Sequence, residues 1–478
     1  MRALKRSIVC AILFFLLWPG ARRAAAYSLL THEQLIDLTW DDSIVPLLRS
    51  RYPTLTPAQL EHARAYAYAG CVIQDIGYYP FGDSFFSNLT HYVRTGDFVV
   101  SLFRNAGNAD ELAFAIGALS HYIGDAEGHS LATNRAVPVE FPKLGKKYGP
   151  VVNYAQGKDQ HVQTEFAFDV NELAHYRMAP FRYQKHIGLA VPVRQLGLAY
   201  YQTYGLTKGF SGVREERINV GAYRFAVRAF LPRIARAITI LHRQVEPADP
   251  NTPEVQELRR EVAKVGLENN WKKYHHKAGI GIYSLAVLIY ILPKIGPLKM
   301  ADVKGPTVDT ESEYVHSVAV STGALRRILA RFTPPPQTIS SAADAAAADT
   351  HSQPPPSRPS AENASSDAPR DSRDRRHPLK NRDLDTGNVV QPGGYPLTDS
   401  TYAQLLHLLA SKPSQAIPPG IKEDLQAYYS NLDLPITTKK DPELWKQVLA
   451  DLETLKTMTT SPEAKPYPTY GEDEQDQQ

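Results

Sequence analysis

The segment HYIGDAEGH carries histidine and aspartate side chains at intervals of four residues. His121, Asp125 and His129 would share one face of an α-helix, because a helix completes a turn in about 3.6 residues. The apolar run FAIGALS directly before them indicates that this helix is buried. Two imidazoles and a carboxylate are costly to bury without a compensating partner, and a bound metal ion is one such partner.

Further histidines and carboxylates support this interpretation. His161 and Glu165 repeat the four-residue spacing, and a divalent cation can bridge such a pair. Asp75, His91 and His32 lie upstream. Each has an ordinary alternative: a helix ion pair, a turn residue or a surface histidine. Their number and order favour a shared metal centre, and mixed nitrogen and carboxylate donors favour zinc.

Helices are the elements predicted to position these side chains. Pro57 suits the first turn of a helix over residues 58–71. Residues 109–122 are apolar on nearly every face, which predicts a central helix. Alternation typical of strands is scarce between residues 27 and 333, so we expect an all-α domain over this range.

The first 26 residues have the pattern of a secretory signal peptide: basic residues, a short apolar run and AAA. An uncleaved signal anchor is the alternative. Cleavage after Ala26 would make Tyr27 the first mature residue and leave Cys71 as the one cysteine, so no disulfide could form within the chain. A long exported chain without disulfides is typical of a bacterial periplasm or envelope, so we expect a secreted or periplasmic protein.

The C-terminal third differs in composition. Residues 334–391 are rich in Pro, Ala and Ser, which predicts a disordered linker or surface insertion. Residues 392–460 are predicted to form a C-terminal helical segment, with helix starts at Asp399 and Asp441. Residues 461–478 are predicted to form an acidic tail.

The uncharged segment Gly279–Leu292 allows two interpretations. A buried core helix is preferred, because the segment is shorter than the roughly 20 residues of a spanning helix. A membrane-inserted or interfacial hairpin is the alternative.

The order of the motifs TH, DIG, a single His, HxxxDxxxH and HxxxE resembles the zinc-dependent phospholipase C family over residues 27–300. That family shares its helical fold with fungal-type single-strand nucleases, and the resemblance implies three zinc ions in a cleft. One ion would be held by Asp75, His91, His121 and Asp125, and a second by His129, His161 and Glu165. The third would be held by His32, by Asp125 as a bridge, and by the main-chain amine and carbonyl of Tyr27.

The resemblance also implies an activity, with Asp75 orienting or deprotonating the attacking water. We expect an exported phospholipase C that acts on membrane phospholipids, with peripheral membrane contact. The net charge of +3 and the absence of a dense basic tract give no support to nucleic-acid binding. A secreted single-strand nuclease and a non-catalytic metal-binding envelope protein remain alternatives.

Overall fold

The computed structural model describes residues 29–79, 82–206, 220–221, 223–225, 227, 231–242, 251–291, 305–332 and 378–462. Within these ranges the regular secondary structure is helical. The extended pairings among them are two isolated β-bridges, Arg382–Val389 and Ile417–Thr460. The predicted all-α fold is confirmed.

The helices of the N-terminal part are α1 Leu29–Thr39, α2 Val45–Arg51, α3 Pro57–Gly70, α4 Ser84–Tyr92, α5 Thr95–Arg104, α6 Ala109–Gly128, α7 Asn134–Glu140, α8 Pro142–Tyr148, α9 Lys158–Ala174, α10 Phe181–Ile187 and α11 Val193–Tyr204. Those that follow are α12 Leu231–His242, α13 Pro253–Glu268, α14 Ile280–Ile291, α15 Val308–Phe332, α16 Pro396–Ala410, α17 Pro419–Tyr428 and α18 Pro442–Thr457.

Helix α3 begins at a capping box. The Thr56 hydroxyl accepts from the Gln59 amide, and the Gln59 side chain accepts from the Thr56 amide. Pro57 occupies the first turn, where its missing N–H leaves no hydrogen bond unmade. The helix predicted over residues 58–71 is therefore confirmed, shifted by one residue.

Helix α6 is the centre of the domain, as its apolar sequence predicts. It is buried along most of its length and contacts α1, α3, α5 and α15. Its approach to α3 depends on Gly117, where a Cβ would lie 2.2 Å from the carbonyl oxygen of Ala67. The close crossing brings the chain after α3 to the end of α6 that carries His121 and Asp125.

Residues 378–391 correct the predicted linker. Their composition predicts a disordered linker or a surface insertion, but they lie against α4, α5 and the end of α6. The Leu384 amide donates to the His91 carbonyl at 3.0 Å, and the Tyr122 hydroxyl donates to the Lys380 carbonyl at 2.6 Å. The ordered C-terminal part therefore starts by residue 378 and packs on the helical domain.

The two predicted C-terminal helix starts have different outcomes. Asp441 caps α18, accepting from the amides of Glu443 and Leu444 at 3.1 Å each. Asp399 does not cap α16, which begins three residues earlier at Pro396. Instead its buried carboxylate accepts from the amides of Gly393 and Thr437, because the chain folds back over the start of this helix.

The preferred interpretation of residues 279–292 as a buried core helix is only half right, because one side of α14 is exposed. Ala286 and Ile289 are buried beside the side chains of α12, whereas Ile280, Tyr290 and Ile291 are 86%, 77% and 71% exposed. Within the described ranges, no helix combines the length and the apolar character needed to cross a bilayer.

Several predictions concern residues outside the described ranges. These are the signal peptide of residues 1–26, the Tyr27 ligand, residues 334–377 of the linker and most of the acidic tail.

Candidate metal centre

The first group of donor atoms surrounds Asp125, in the last turn of α6. The Nε2 atom of His121, one turn earlier, lies 3.2 Å from Asp125 Oδ2. His32 of α1 places its Nε2 atom 3.2 Å from Asp125 Oδ1, and its ring stacks on that of His121 with ring centres 4.2 Å apart. All three side chains are completely buried, so the packing of α1 on α6 assembles this group inside the domain.

His91 and Asp75 extend the group on the other side of Asp125. The Nε2 atom of His91, in the last turn of α4, lies 3.3 Å from Asp75 Oδ1 and 3.3 Å from Asp125 Oδ2. Asp75 lies in the 3₁₀ turn Ile73–Gly77 that follows α3. One oxygen of Asp125 thus faces His32 and the other faces His91, which is the arrangement of a bridging carboxylate.

A second group surrounds Glu165 of α9. Its Oε1 atom lies 2.9 Å from Nε2 of His161, one turn earlier, and 2.9 Å from Nε2 of His129. His129 opens the π-helical turn His129–Thr133 that continues α6. Its Nε2 atom lies 4.0 Å from Asp125 Oδ1, so the two groups are adjacent.

The hydrogen-bond partners of the Nδ1 atoms determine which ring nitrogen carries the hydrogen in three of the histidines. A main-chain carbonyl oxygen lies beside the Nδ1 atom of three histidines. The distance is 2.7 Å from Ser87 to His91, 2.9 Å from Cys71 to His121 and 2.8 Å from Leu384 to His129. A carbonyl can only accept, so each Nδ1 carries the hydrogen in the neutral ring and each Nε2 directs a lone pair into the cluster. Metal-ligating histidines are typically fixed in this way.

The donor set fits zinc. In the described part of the chain, three groups have donor atoms that lie within 4.8 Å of one another: His32, His121 and Asp125; Asp75, His91 and His121; and His129, His161 and Glu165. The carboxylate oxygens of Asp75 and Asp125 are buried, and imidazole nitrogens of His32, His91 and His121 lie 3.2–3.3 Å from them. Imidazole nitrogens and carboxylate oxygens that converge in this way suit a divalent cation.

The charges in the cluster favour cations. Burial alone would lower the pKa of His91, but Asp125 and Asp75 raise it well above its usual value. Burial likewise opposes the charge on His129, yet Asp125 and Glu165 raise its pKa to about 10. Protons and metal ions therefore compete for the same nitrogens.

The structure brings together eight of the nine predicted metal-site residues, and the ninth, Tyr27, lies outside the described ranges. His121 belongs to two of the three groups, so the geometry is compatible with several zinc ions, and three ions remain a prediction.

Sequence reasoning missed the residue that anchors α1. The Asp169 carboxylate accepts from the amides of Leu30 and Thr31, at 2.9 and 3.0 Å, and from the Thr31 hydroxyl at 2.8 Å. Asp169 continues the four-residue spacing of His161 and Glu165 along α9, a signal that could have identified it. It fixes the first turn of α1, which carries His32.

Sequence reasoning also missed the C-terminal loop, residues 381–390. Its Leu384 carbonyl accepts from His129, and the Leu384 amide donates to the His91 carbonyl. Main-chain contacts of this kind have no sequence signature. The loop therefore lies against two of the predicted ligands.

In a comparison with known families, the model described as zinc dependent phospholipase C matches residues 31–208. No curated protein and no solved structure matches the chain. The matched range holds all eight described donor residues, from His32 to Glu165, and excludes the C-terminal loop. The resemblance in the motifs is thereby confirmed: residues 31–208 match the model of the zinc-dependent phospholipase C family.

Proposed function

We propose that this protein is an exported phospholipase C that hydrolyses membrane phospholipids at a centre of three zinc ions. The supporting observation is the convergence of eight buried histidine and carboxylate side chains inside the matched range. Family and donor set together support the coarser statement, a zinc-dependent hydrolase of phosphodiesters.

The ligands divide as the resemblance implies. Asp75, His91, His121 and Asp125 would hold one ion, and His129, His161 and Glu165 a second. His32, Asp125 and the main-chain amine and carbonyl of Tyr27 would hold the third. An amine becomes available there only after cleavage at Ala26, so export would complete the site. Amino-terminal sequencing of the secreted protein should then begin at Tyr27.

Asp75 is proposed as the catalytic residue. Bound zinc lowers the pKa of water towards about 7 and neutralises charge on the phosphate oxygens. Asp75 would orient the attacking water through one carboxylate oxygen and accept its proton. The neighbouring His91, held by the Ser87 carbonyl, would keep that carboxylate in place.

The surface at α14 supports a lipid rather than a nucleic-acid substrate. Tyr283 and Val287 lie between the highly exposed Ile280 and Tyr290, and all four side chains project from the side that faces away from α12. Exposed lysines at 272, 273 and 277 precede the helix, and the sequence has no acidic residue between positions 269 and 300. Apolar side chains beside lysines are typical of helices that lie at an anionic lipid surface.

The proposal is tested by assaying the purified mature protein on phosphatidylcholine vesicles and on single-stranded DNA in parallel, with and without a zinc chelator. We expect release of the phosphorylated head group that the chelator abolishes and zinc restores. Chelator-sensitive cleavage of DNA alone would instead establish the nuclease alternative. Zinc binding with neither activity would favour the non-catalytic metal protein.

A further inference from the structure

We propose that the C-terminal loop is a positioning element of the metal centre, with Asp385 and the Leu384 carbonyl orienting His129. The inference rests on the proposed zinc function and adds residues outside the matched range to it. Their role would be to present Nε2 of His129 to the ion shared with His161 and Glu165.

The C-terminal loop contacts the imidazole of His129 directly. The Leu384 carbonyl accepts from His129 Nδ1 at 2.8 Å, and Asp385 Oδ1 lies 4.0 Å from the same nitrogen. A carbonyl and a carboxylate beside Nδ1 hold the hydrogen there and strengthen Nε2 as a donor to a metal. The loop therefore sets both the orientation and the tautomer of His129.

Asp385 is itself held in place by hydrogen bonds. Its Oδ2 atom accepts from the Tyr92 hydroxyl at 2.9 Å and from the Tyr395 hydroxyl at 2.5 Å, and its carbonyl accepts from the Asn134 side chain at 2.7 Å. Tyr92 follows the predicted ligand His91 in α4. The loop thus connects the donor group of His91, through Tyr92, with the donor group of His129.

The C-terminal loop also packs closely on α6. Gly387 has a φ of +73°, and a Cβ there would lie 2.4 Å from the carbonyl oxygen of Ala126. Only glycine permits both the backbone conformation and this approach. Any larger residue must lift the loop from the end of α6, next to Asp125 and His129.

Two variants test the role without removing a predicted ligand. Asp385→Asn removes the charge behind His129 and keeps an acceptor for the tyrosines, and Gly387→Ala displaces the loop. Gly149→Ala is the matched control, because Gly149 also has a positive φ of +97° but a Cβ there meets nothing within 4 Å.

We expect both test variants to bind zinc at least tenfold more weakly than the parent protein in chelator competition, within the range seen for outer-shell partners of ligands. The absorption spectrum of the cobalt-substituted protein should also change, whereas Gly149→Ala should retain both properties. A purely structural role would lower the melting temperature of the metal-free protein and leave the cobalt spectrum unchanged.

The outcomes separate the two proposals. Unaltered zinc affinity and cobalt spectrum in Asp385→Asn and Gly387→Ala would overturn the positioning role while the zinc function stood. Failure of the parent protein to bind zinc would reject the proposed function itself. If Gly387→Ala does not fold, the conservative Asp385→Asn variant decides alone.

Discussion

Asp125 lies at the centre of the candidate metal site, between histidines from three helices. Its two oxygens face His32 on one side and His91 and His121 on the other. Burial alone would raise the pKa of its carboxyl, but His121 and His129 hold it well below its usual value. The carboxylate is thus ionised and ready to bridge two cations at neutral pH.

Asp75 differs from Asp125 in its environment, and this difference carries a prediction. Burial raises the pKa of the Asp75 carboxyl despite the nearby His121 and His91. Asp75→Asn keeps one oxygen that can ligate zinc and removes the proton acceptor. We expect kcat on phosphatidylcholine to fall by about 10²-fold or more, the usual contribution of a general base, with far less change in vesicle binding.

The control for this prediction is Glu127→Gln, a matched change two residues from Asp125 on a less buried position of α6. It should leave kcat within about twofold of the parent value. Zinc content must be measured for both variants. Equal losses of turnover and vesicle binding in Asp75→Asn would contradict the base role.

At the scale of elements, the sequence predicts what is local. His121 and Asp125 share a helix, as do His161 and Glu165, so spacing alone places each pair on one face. The anchoring of α1 could not be found in this way, because Leu30 and Asp169 are 139 positions apart. The contact of Leu384 with His129 is equally hidden, since it uses a main-chain carbonyl in a segment whose composition predicts disorder.

The anchor of α1 carries a prediction at this scale. Asp169→Ala removes the acceptor of two amides and a hydroxyl, leaving buried donors unsatisfied at the first turn of α1. Loss of a charged cap and its hydrogen bonds costs about 2–4 kcal/mol, so the urea midpoint of the metal-free protein should fall accordingly. Zinc affinity should fall as well, because His32 lies in that turn.

Asp110→Ala is the comparison for this change. Asp110 pairs with the exposed His62 at 3.0 Å on the surface, and such pairs contribute about 0–1 kcal/mol. Its urea midpoint should stay close to that of the parent. An Asp169→Ala protein as stable as Asp110→Ala would show that α1 is held by its apolar contacts alone.

At the scale of the whole molecule, the exposed side of α14 is the feature that its sequence could not reveal. All residues of this helix other than Gly281 and Ser284 are apolar or aromatic, so no periodicity distinguishes a packed side from an open one. The structure divides them: Ala286 and Ile289 face α12, and Ile280 and Tyr290 face outward. Over residues 280–291 the helix therefore has one packed side and one exposed apolar side.

This division predicts how the protein meets its substrate. The double variant Ile280→Ser/Tyr290→Ser should bind vesicles of phosphatidylcholine and phosphatidylglycerol at least tenfold more weakly in flotation assays, because loss of even one apolar side chain from the lipid forfeits about 1.5–3 kcal/mol when that side chain is fully buried. The assay is run with chelator present, so that binding is measured without hydrolysis. Chelator-free turnover of a monomeric short-chain substrate should be unchanged, since the metal donors lie inside the domain.

The comparison is Val139→Ser/Leu444→Ser, which changes exposed apolar residues on α7 and α18. It should bind vesicles like the parent. Added salt should weaken binding of the parent protein to anionic vesicles, because the lysines at 272, 273 and 277 interact with the head groups through screened charges. Undiminished flotation of Ile280→Ser/Tyr290→Ser would contradict membrane contact at α14, and a shift of that variant from dimer to monomer in light scattering would assign the surface to a second copy of the chain.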